Sequence, residues 1–253
     1  MTKSILFFSL ISNLLVSNMY ATTNNTINNL TTETNKSLPT ATITAGLKEA
    51  LDQGTAEGIS TLSKKDGFYK NPALKIMLPK EFNKVEKTLK SVGLGSLVNT
   101  TVLLINRAAE NAVTEAGPIF KSAITGLNFN DAMGILLGDE RSASTYLEKA
   151  TSSSLAKAFE PQIEKSLNLV GADVAWENMI TKYNAISKEK VNANLSEYVT
   201  EEALNALYTE IGDKEADIRN NKSARNTPLL KEVFAIQDNS LIKSSNKIIK
   251  KIK

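Results

Sequence analysis

Residues 97–116 impose the strongest constraint on how this chain can fold, because their apolar side chains recur every three or four positions. That spacing places them on one face of an α-helix, which turns once in about 3.6 residues. Leu103 and Leu104 lie off this face, so we expect the helix to be covered on more than one side. The sequence therefore predicts an all-α, multi-helix bundle around a central helix at about 97–116. The apolar face consists of Val98, Val102, Ile105, Ala109, Ala112, Val113 and Ala116.

A polar segment lies within this helix. Arg107 and Glu110 are three positions apart, so their side chains can meet on a helix surface. Arginine is scarce in the chain, and a guanidinium on a central helix favours a bidentate carboxylate partner. Two interpretations stay open: a polar site in a helical cleft, or a partly buried ion pair that fixes the helix register. We expect one polar cluster, in which carboxylates offset converging arginines. Its candidate members are Asn106, Arg107, Glu110, Asp131, Arg219 and Arg225.

The ends of the chain predict an exported protein. Residues 1–21 resemble a secretory signal peptide, with Lys3 before a short apolar run and Ala21 at the expected cleavage point. Residues 22–42 are rich in Thr and Asn, which predicts a disordered linker. A single helical domain is expected over 43–236, followed by a basic tail over 237–253. We expect the mature protein to be periplasmic.

Local signals predict the parts of the domain. Turn residues and alternating apolar positions predict a short extended arm near 66–79. Gly54 and Gly58 indicate close helix packing or a backbone-lined ligand notch. Thr151 is expected to cap a helix that Pro161 kinks or divides. An aromatic and apolar stripe that begins at Trp176 is expected in the core.

The distribution of charge indicates which partners to expect. Every charged residue after Asp238 is a lysine, so the preceding body is slightly acidic despite the formal net charge of +3. An acidic body argues against nucleic acid, which binds a basic surface. The tail either lies on an anionic membrane or is solvated. A lipid or an envelope protein is the expected partner.

The composition excludes several chemistries. The chain has no His and no Cys, which excludes Ser-His-Asp catalysis, thiol nucleophiles and the usual zinc sites. No phosphate-binding loop or calcium loop is present, and we expect no cofactor and no metal. Carboxylate chemistry remains: Glu110 as a general acid, with Asp131 nearby, would suit a cell-envelope glycan hydrolase. An arginine beside Glu110 would oppose that role by keeping the carboxylate ionised.

Several short runs, taken together and in order, resemble a bacterial family known as domain of unknown function 4197. The resemblance extends from about Gly46 to Phe234, and it implies an exported, mainly helical protein without an established activity. The runs that carry it include Gly46–Leu51, Asp66–Phe68, Asn71-Pro72, Asn106–Glu110, Pro118–Phe120, Gly134–Leu136, Thr145-Tyr146, Ile218-Arg219, Ala224-Arg225 and Leu229–Lys231.

These observations favour a non-catalytic periplasmic domain that binds an apolar ligand, a lipid or an envelope protein. The alternative is the glycan hydrolase. The two differ in the expected place of Glu110: a hydrolase needs it at the floor of an open groove without an arginine partner.

Overall fold

The computed structural model describes residues 38–188 and 194–238, and all regular structure in these ranges is helical. The described residues from Thr40 onward belong to one compact unit. The prediction of an all-α bundle is therefore confirmed. The expected signal peptide, most of the linker and most of the basic tail lie outside the described residues.

Nine α-helices, counted within those ranges, make up the bundle. They are α1 (Thr40–Leu62), α2 (Asn83–Ser91), α3 (Gly95–Ala112), α4 (Ala116–Gly126), α5 (Ala132–Leu136), α6 (Ser142–Val170), α7 (Ala172–Ile186), α8 (Leu195–Asn220) and α9 (Pro228–Phe234).

Helix α3 is the central helix. It packs against α2, α6 and α7, and its apolar face is buried as expected. The prediction of one helix through position 116 is wrong in its last turn, because the α-helix ends at Ala112 and a 3-10 turn, Val113–Glu115, leads into α4. The reason is Pro118, which has no N–H and disrupts a helix interior. Starting α4 at Ala116 places this proline in a first turn, where no donor is needed.

Helix α1 lies close to α8 and α9 because its facing positions are glycines. A Cβ atom on Gly54 would lie 3.0 Å from the Cα atom of Ile211 in α8. A Cβ atom on Gly46 would lie 2.7 Å from the Val233 side chain in α9. The neighbouring helices fill the glycine face, which supports the packing interpretation over a ligand notch.

The arm at 66–79 lies on the bundle, but it forms turns and irregular backbone and no strand. Ile76 and Leu78 are buried and Met77 between them is exposed, so the alternation is real. Asp66 begins the arm with a φ of 73°, a left-handed conformation that Asp tolerates better than most residues.

Helix α6 is one continuous helix, which corrects the predicted start at Thr151 and the predicted division at Pro161. The Thr151 hydroxyl donates to the Leu147 carbonyl at 2.5 Å, so it lies inside a helix and caps none. Pro161 is tolerated because it is exposed, as is Lys157 one turn earlier, and water can hydrogen-bond the carbonyl that the proline leaves unpaired.

Candidate functional site

Arg107 connects the arm to the central helix. Its guanidinium donates to the Glu110 carboxylate and to the Asp66 carboxylate, both at 2.5 Å. It also lies 5.7 Å from the centre of the Tyr69 ring. The hydrogen bond from Arg107, with a second from Lys70, lowers the pKa of the Asp66 carboxyl. The Arg107 guanidinium thus binds two carboxylates, one from α3 and one from the arm.

Both carboxylate oxygens of Glu110 accept hydrogen bonds within the fold. One oxygen accepts from Arg107, and the other accepts the backbone N–H groups of Phe68 and Tyr69, each at 3.2 Å. Only 4% of the residue is exposed. A general acid must be protonated and must reach a substrate, whereas this carboxylate accepts three donors inside the fold. Glu110 therefore lacks the geometry expected of a hydrolase acid, which is an open groove without an arginine partner.

The side chain of Asn106 pairs with the backbone of the arm. Its Oδ1 accepts the Ile76 N–H at 2.9 Å, and its Nδ2 donates to the Ile76 carbonyl at 2.7 Å. The same nitrogen donates to the Val102 carbonyl at 2.7 Å. A completely buried amide side chain thus supplies the pairing that a neighbouring strand would give.

Arg219 belongs to a second network, built on Glu215. The buried Glu215 carboxylate accepts the backbone N–H groups of Ala143 and Ser144, at 2.9 and 2.7 Å. It thereby caps the start of α6 from another helix. Arg219 Nε donates to Glu215 at 2.8 Å, and its Nη1 donates to the Leu136 carbonyl at 2.6 Å. This pair joins α5, α6 and α8.

Arg225 extends this second network. It donates to the backbone carbonyls of Ile218 and Arg219, at 2.9 and 3.0 Å. Its Nη1 donates to the Asp238 carboxylate at 2.7 Å. That hydrogen bond is the main cause that lowers the pKa of Asp238 to about 2. Arg225 therefore closes the end of α8 and attaches the last described residues to it.

The expected single polar cluster is thus two networks, one around Arg107 and one around Arg219 and Arg225. No hydrogen bond or ion pair that we observe between described residues joins them. Asp131 belongs to neither: it is exposed, and its Oδ1 caps α5 by accepting the Gly134 N–H at 2.8 Å. Sequence reasoning missed the carboxylates of Asp66, Glu215 and Asp238, although the spacing of Glu215 and Arg219 by four residues was a visible signal for the second network.

A groove of about 790 Å³ lies between α6 and the first half of α8. We call it the α6–α8 groove. On α6 it is lined by Glu148, Ser152, Ser153, Ala156, Lys157 and Glu160. On the α8 side it is lined by Asn194, Glu197, Thr200, Glu201, Leu204, Asn205 and Tyr208.

The two walls of the groove run antiparallel. Ser144 of α6 bonds Glu215 of α8, and further along α6 the Thr151 hydroxyl lies 3.5 Å from the Tyr208 hydroxyl. Continuing equally far along both helices brings Glu160 level with the turn of α8 that carries Glu197 and Glu201. Three carboxylates therefore lie at one end of the groove.

The walls of the groove combine acidic and hydroxyl groups. Burial, and to a smaller extent the charge of Glu148, raises the pKa of the Tyr208 phenol. Next to the groove on α8, burial and the charge of Glu201 raise the pKa of the Glu202 carboxyl. The Thr200 hydroxyl is buried and makes no hydrogen bond. The lining carboxylates of Glu148, Glu160, Glu197 and Glu201 can accept hydrogen bonds from a bound molecule.

In residues 38–188 and 194–238, no three acidic side chains are grouped so that they could hold a metal ion. Across those ranges, none of the helices is long and apolar enough to pass through a bilayer.

Comparison with known proteins gives the family. A family model described as "Protein of unknown function (DUF4197)" matches residues 37–235, which include nearly all of the described bundle. The chain belongs to the DUF4197 family. Membership confirms the resemblance seen in the sequence. No curated protein and no solved structure matched the chain. The description of DUF4197 assigns no activity, so the function has to be argued from the site.

Proposed function

We propose that this DUF4197 protein is a non-catalytic binding module of the periplasm, and that the α6–α8 groove is its binding site. The leader-like residues 1–21 support the compartment. The buried charges support the non-catalytic role. Glu110, Glu215 and their arginines are engaged in holding helices together, so they do not serve a ligand.

One observation carries the choice of site: the groove contains polar groups that the fold does not use. Glutamates line both walls, and Glu148, Glu160, Glu197 and Glu201 form no ion pair within the described residues. A volume of about 790 Å³ is in the range typical of small-molecule sites. These features favour a polar ligand over the apolar ligand expected from the sequence.

The test is to fill the groove with a large side chain. Ala156 lines the groove on α6, whereas Ala158 on the same helix is exposed outside it. Native mass spectrometry of exported, purified protein should show a bound small molecule in the wild type and in Ala158→Trp. We expect Ala156→Trp to lose it while the thermal unfolding midpoint of the two variants agrees within a few degrees.

Two outcomes would contradict the proposal. One is an identical set of bound species in both tryptophan variants, which would place any ligand elsewhere. The other is a wild-type protein that carries no ligand and shows no change in its NMR amide shifts at groove residues when periplasmic extract is added.

A further inference from the structure

The basic tail leaves the bundle from a fixed point. Its described residues are Gln237 and Asp238, and both are bound to the fold. The Asp238 carboxylate accepts from Arg225 at 2.7 Å and lies 3.4 Å from the Lys222 ammonium. Gln237 Nε2 donates to the Leu136 carbonyl at the end of α5. The last acidic side chain of the sequence is therefore paired with the bundle, so its charge does not offset the lysines that follow it.

The sequence beyond Asp238 has the spacing of a helix with one apolar face. At about 100° per residue, its large aliphatic residues fall within an arc of about 120°. They are Leu241, Ile242, Ile248, Ile249 and Ile252. All the lysines of the segment fall outside this arc. They are Lys243, Lys247, Lys250, Lys251 and Lys253. The pattern thus separates a strongly cationic face from an aliphatic one.

A role in solubility alone would not require this separation. Lysines keep the end of a chain soluble at any spacing, whereas large aliphatic residues oppose solubility. The aliphatic face also lies beyond the domain that the family shares. The family match ends at residue 235, one residue after Phe234, which is completely buried at the end of α9. The separation therefore indicates a partner that is apolar on one side and anionic on the other.

An anionic bilayer provides this combination. A basic amphipathic helix lies in the plane of the interface, with its apolar face among the acyl chains and its lysines at the level of the phosphates. Nucleic acid would attract the lysines but would leave the aliphatic face in water. Residues 241–252 are too few and too highly charged to cross a bilayer, which takes about 20 apolar residues. The segment can therefore lie on a bilayer without spanning it.

We infer that the basic tail binds the surface of an anionic phospholipid bilayer as an amphipathic helix, and so tethers the helical bundle to a membrane. Because Arg225 and Lys222 hold Asp238, the tether begins directly at the end of α8. The connection between α8 and α9, which supplies both of these cations, contains no acidic residue. No carboxylate of this connection therefore repels the lipid phosphates near the start of the tether.

The test measures binding of the full exported chain to phospholipid vesicles by co-sedimentation. Vesicles with about one quarter phosphatidylglycerol in phosphatidylcholine should bind the protein at least tenfold more tightly than phosphatidylcholine alone. Each lysine near an anionic surface strengthens binding about fivefold, so Lys247→Gln with Lys250→Gln should weaken it about 25-fold. Lys64→Gln with Lys65→Gln is the charge-matched control, because both side chains are exposed on the bundle. It should bind within about twofold of the wild type.

A rearranged tail separates the effect of the apolar face from that of charge. Lys247→Ile, Ile248→Lys, Ile249→Lys and Lys250→Ile, made together, keep the composition and the net charge. They also place two lysines within the apolar arc. We expect this variant to bind the anionic vesicles at least about tenfold more weakly than the wild type, because aliphatic burial is lost. Its thermal unfolding midpoint should not change, since all four positions follow the last described residue.

Hydrogen exchange gives an independent readout of the same binding. Anionic vesicles should slow exchange over residues 241–252 in the wild type and not in the rearranged variant, because only a helix bound through its apolar face protects these amides.

Two outcomes would overturn the inference. One is the absence of wild-type binding to the anionic vesicles. The other is equal binding by the wild type and the rearranged variant, which would show that charge alone attracts the tail, as it would to nucleic acid. The tether does not depend on the α6–α8 groove, and Ala156→Trp should leave vesicle binding unchanged. Failure of the tether and failure of the proposed function are therefore distinguishable.

Discussion

Replacing Asn106 by alanine should release the arm from the central helix. The side chain makes three hydrogen bonds: to the Ile76 N–H and carbonyl, at 2.9 and 2.7 Å, and to the Val102 carbonyl, at 2.7 Å. In the variant, both backbone groups of buried Ile76 lose their partners, at a cost of roughly 1–3 kcal/mol each. The Val102 carbonyl lies within α3 and loses little. Because Met77 beside Ile76 is exposed, the arm can open and admit water. We therefore expect a loss of about 3 kcal/mol in the free energy of unfolding.

Two measurements check this value. Urea denaturation gives the change in the free energy of unfolding. Hydrogen exchange by mass spectrometry should show faster exchange over residues 74–79, while the interior of α6 loses protection only to the extent that global stability falls. Asn111→Ala on the same helix is the control, because that side chain is exposed and should change stability by less than about 0.5 kcal/mol. If Asn106→Ala is as stable as this control and the exchange of the arm is unchanged, the amide does not hold the arm.

Two other features of the fold give predictions. Gly54→Ala should lower the free energy of unfolding by about 1–3 kcal/mol, because its Cβ atom would lie 3.0 Å from the backbone of α8; thermal or urea unfolding measures this. The carboxyl of Asp238 has its pKa lowered to about 2 by Arg225, from an ordinary value of 3.8. Its ion pair should therefore stabilise the fold above pH 3.8, and that contribution should disappear as the pH falls through about 2.

Each of these predictions has a control. Gly126 has no atom within 4 Å of an added Cβ, so Gly126→Ala should not destabilise the protein. A loss of stability equal to that of Gly54→Ala would mean that close helix approach is not the cause. For the acid effect, Asp238→Asn should be less stable than the wild type at pH 6 and equal to it near pH 2. A difference that stays constant between these pH values would assign the effect to packing and not to charge.

Several parts of the fold and site were predictable because their causes are local in the sequence. The Thr227 side chain accepts the Leu230 N–H at the start of α9, and Pro228 follows it, as capping chemistry predicts. Trp176 and Tyr183 are buried, since the face of an amphipathic helix can be deduced from its spacing. Arg107 and Glu110 pair because three helical residues bring them together.

Other parts depended on partners that are distant in sequence. Asp66 pairs with Arg107 across 41 positions, and Glu215 caps α6 across 71 and 72 positions. No local pattern specifies which carboxylate reaches which guanidinium, because that choice is made by the rotation and depth at which helices pack. Helix packing also explains an outcome that the sequence did not predict. We expected Arg107, Glu110, Arg219 and Arg225 to converge, and they form two networks instead.

The sequence by itself determined the helical class, the buried face of each helix, the absence of His and Cys chemistry and the family. Only the tertiary structure decided that Glu110 is engaged by the arm and that the glutamates of α6 and α8 face one groove. The physical reason is range: propensity, capping and periodicity act within a few residues, whereas the groove arises from the antiparallel alignment of α6 and α8.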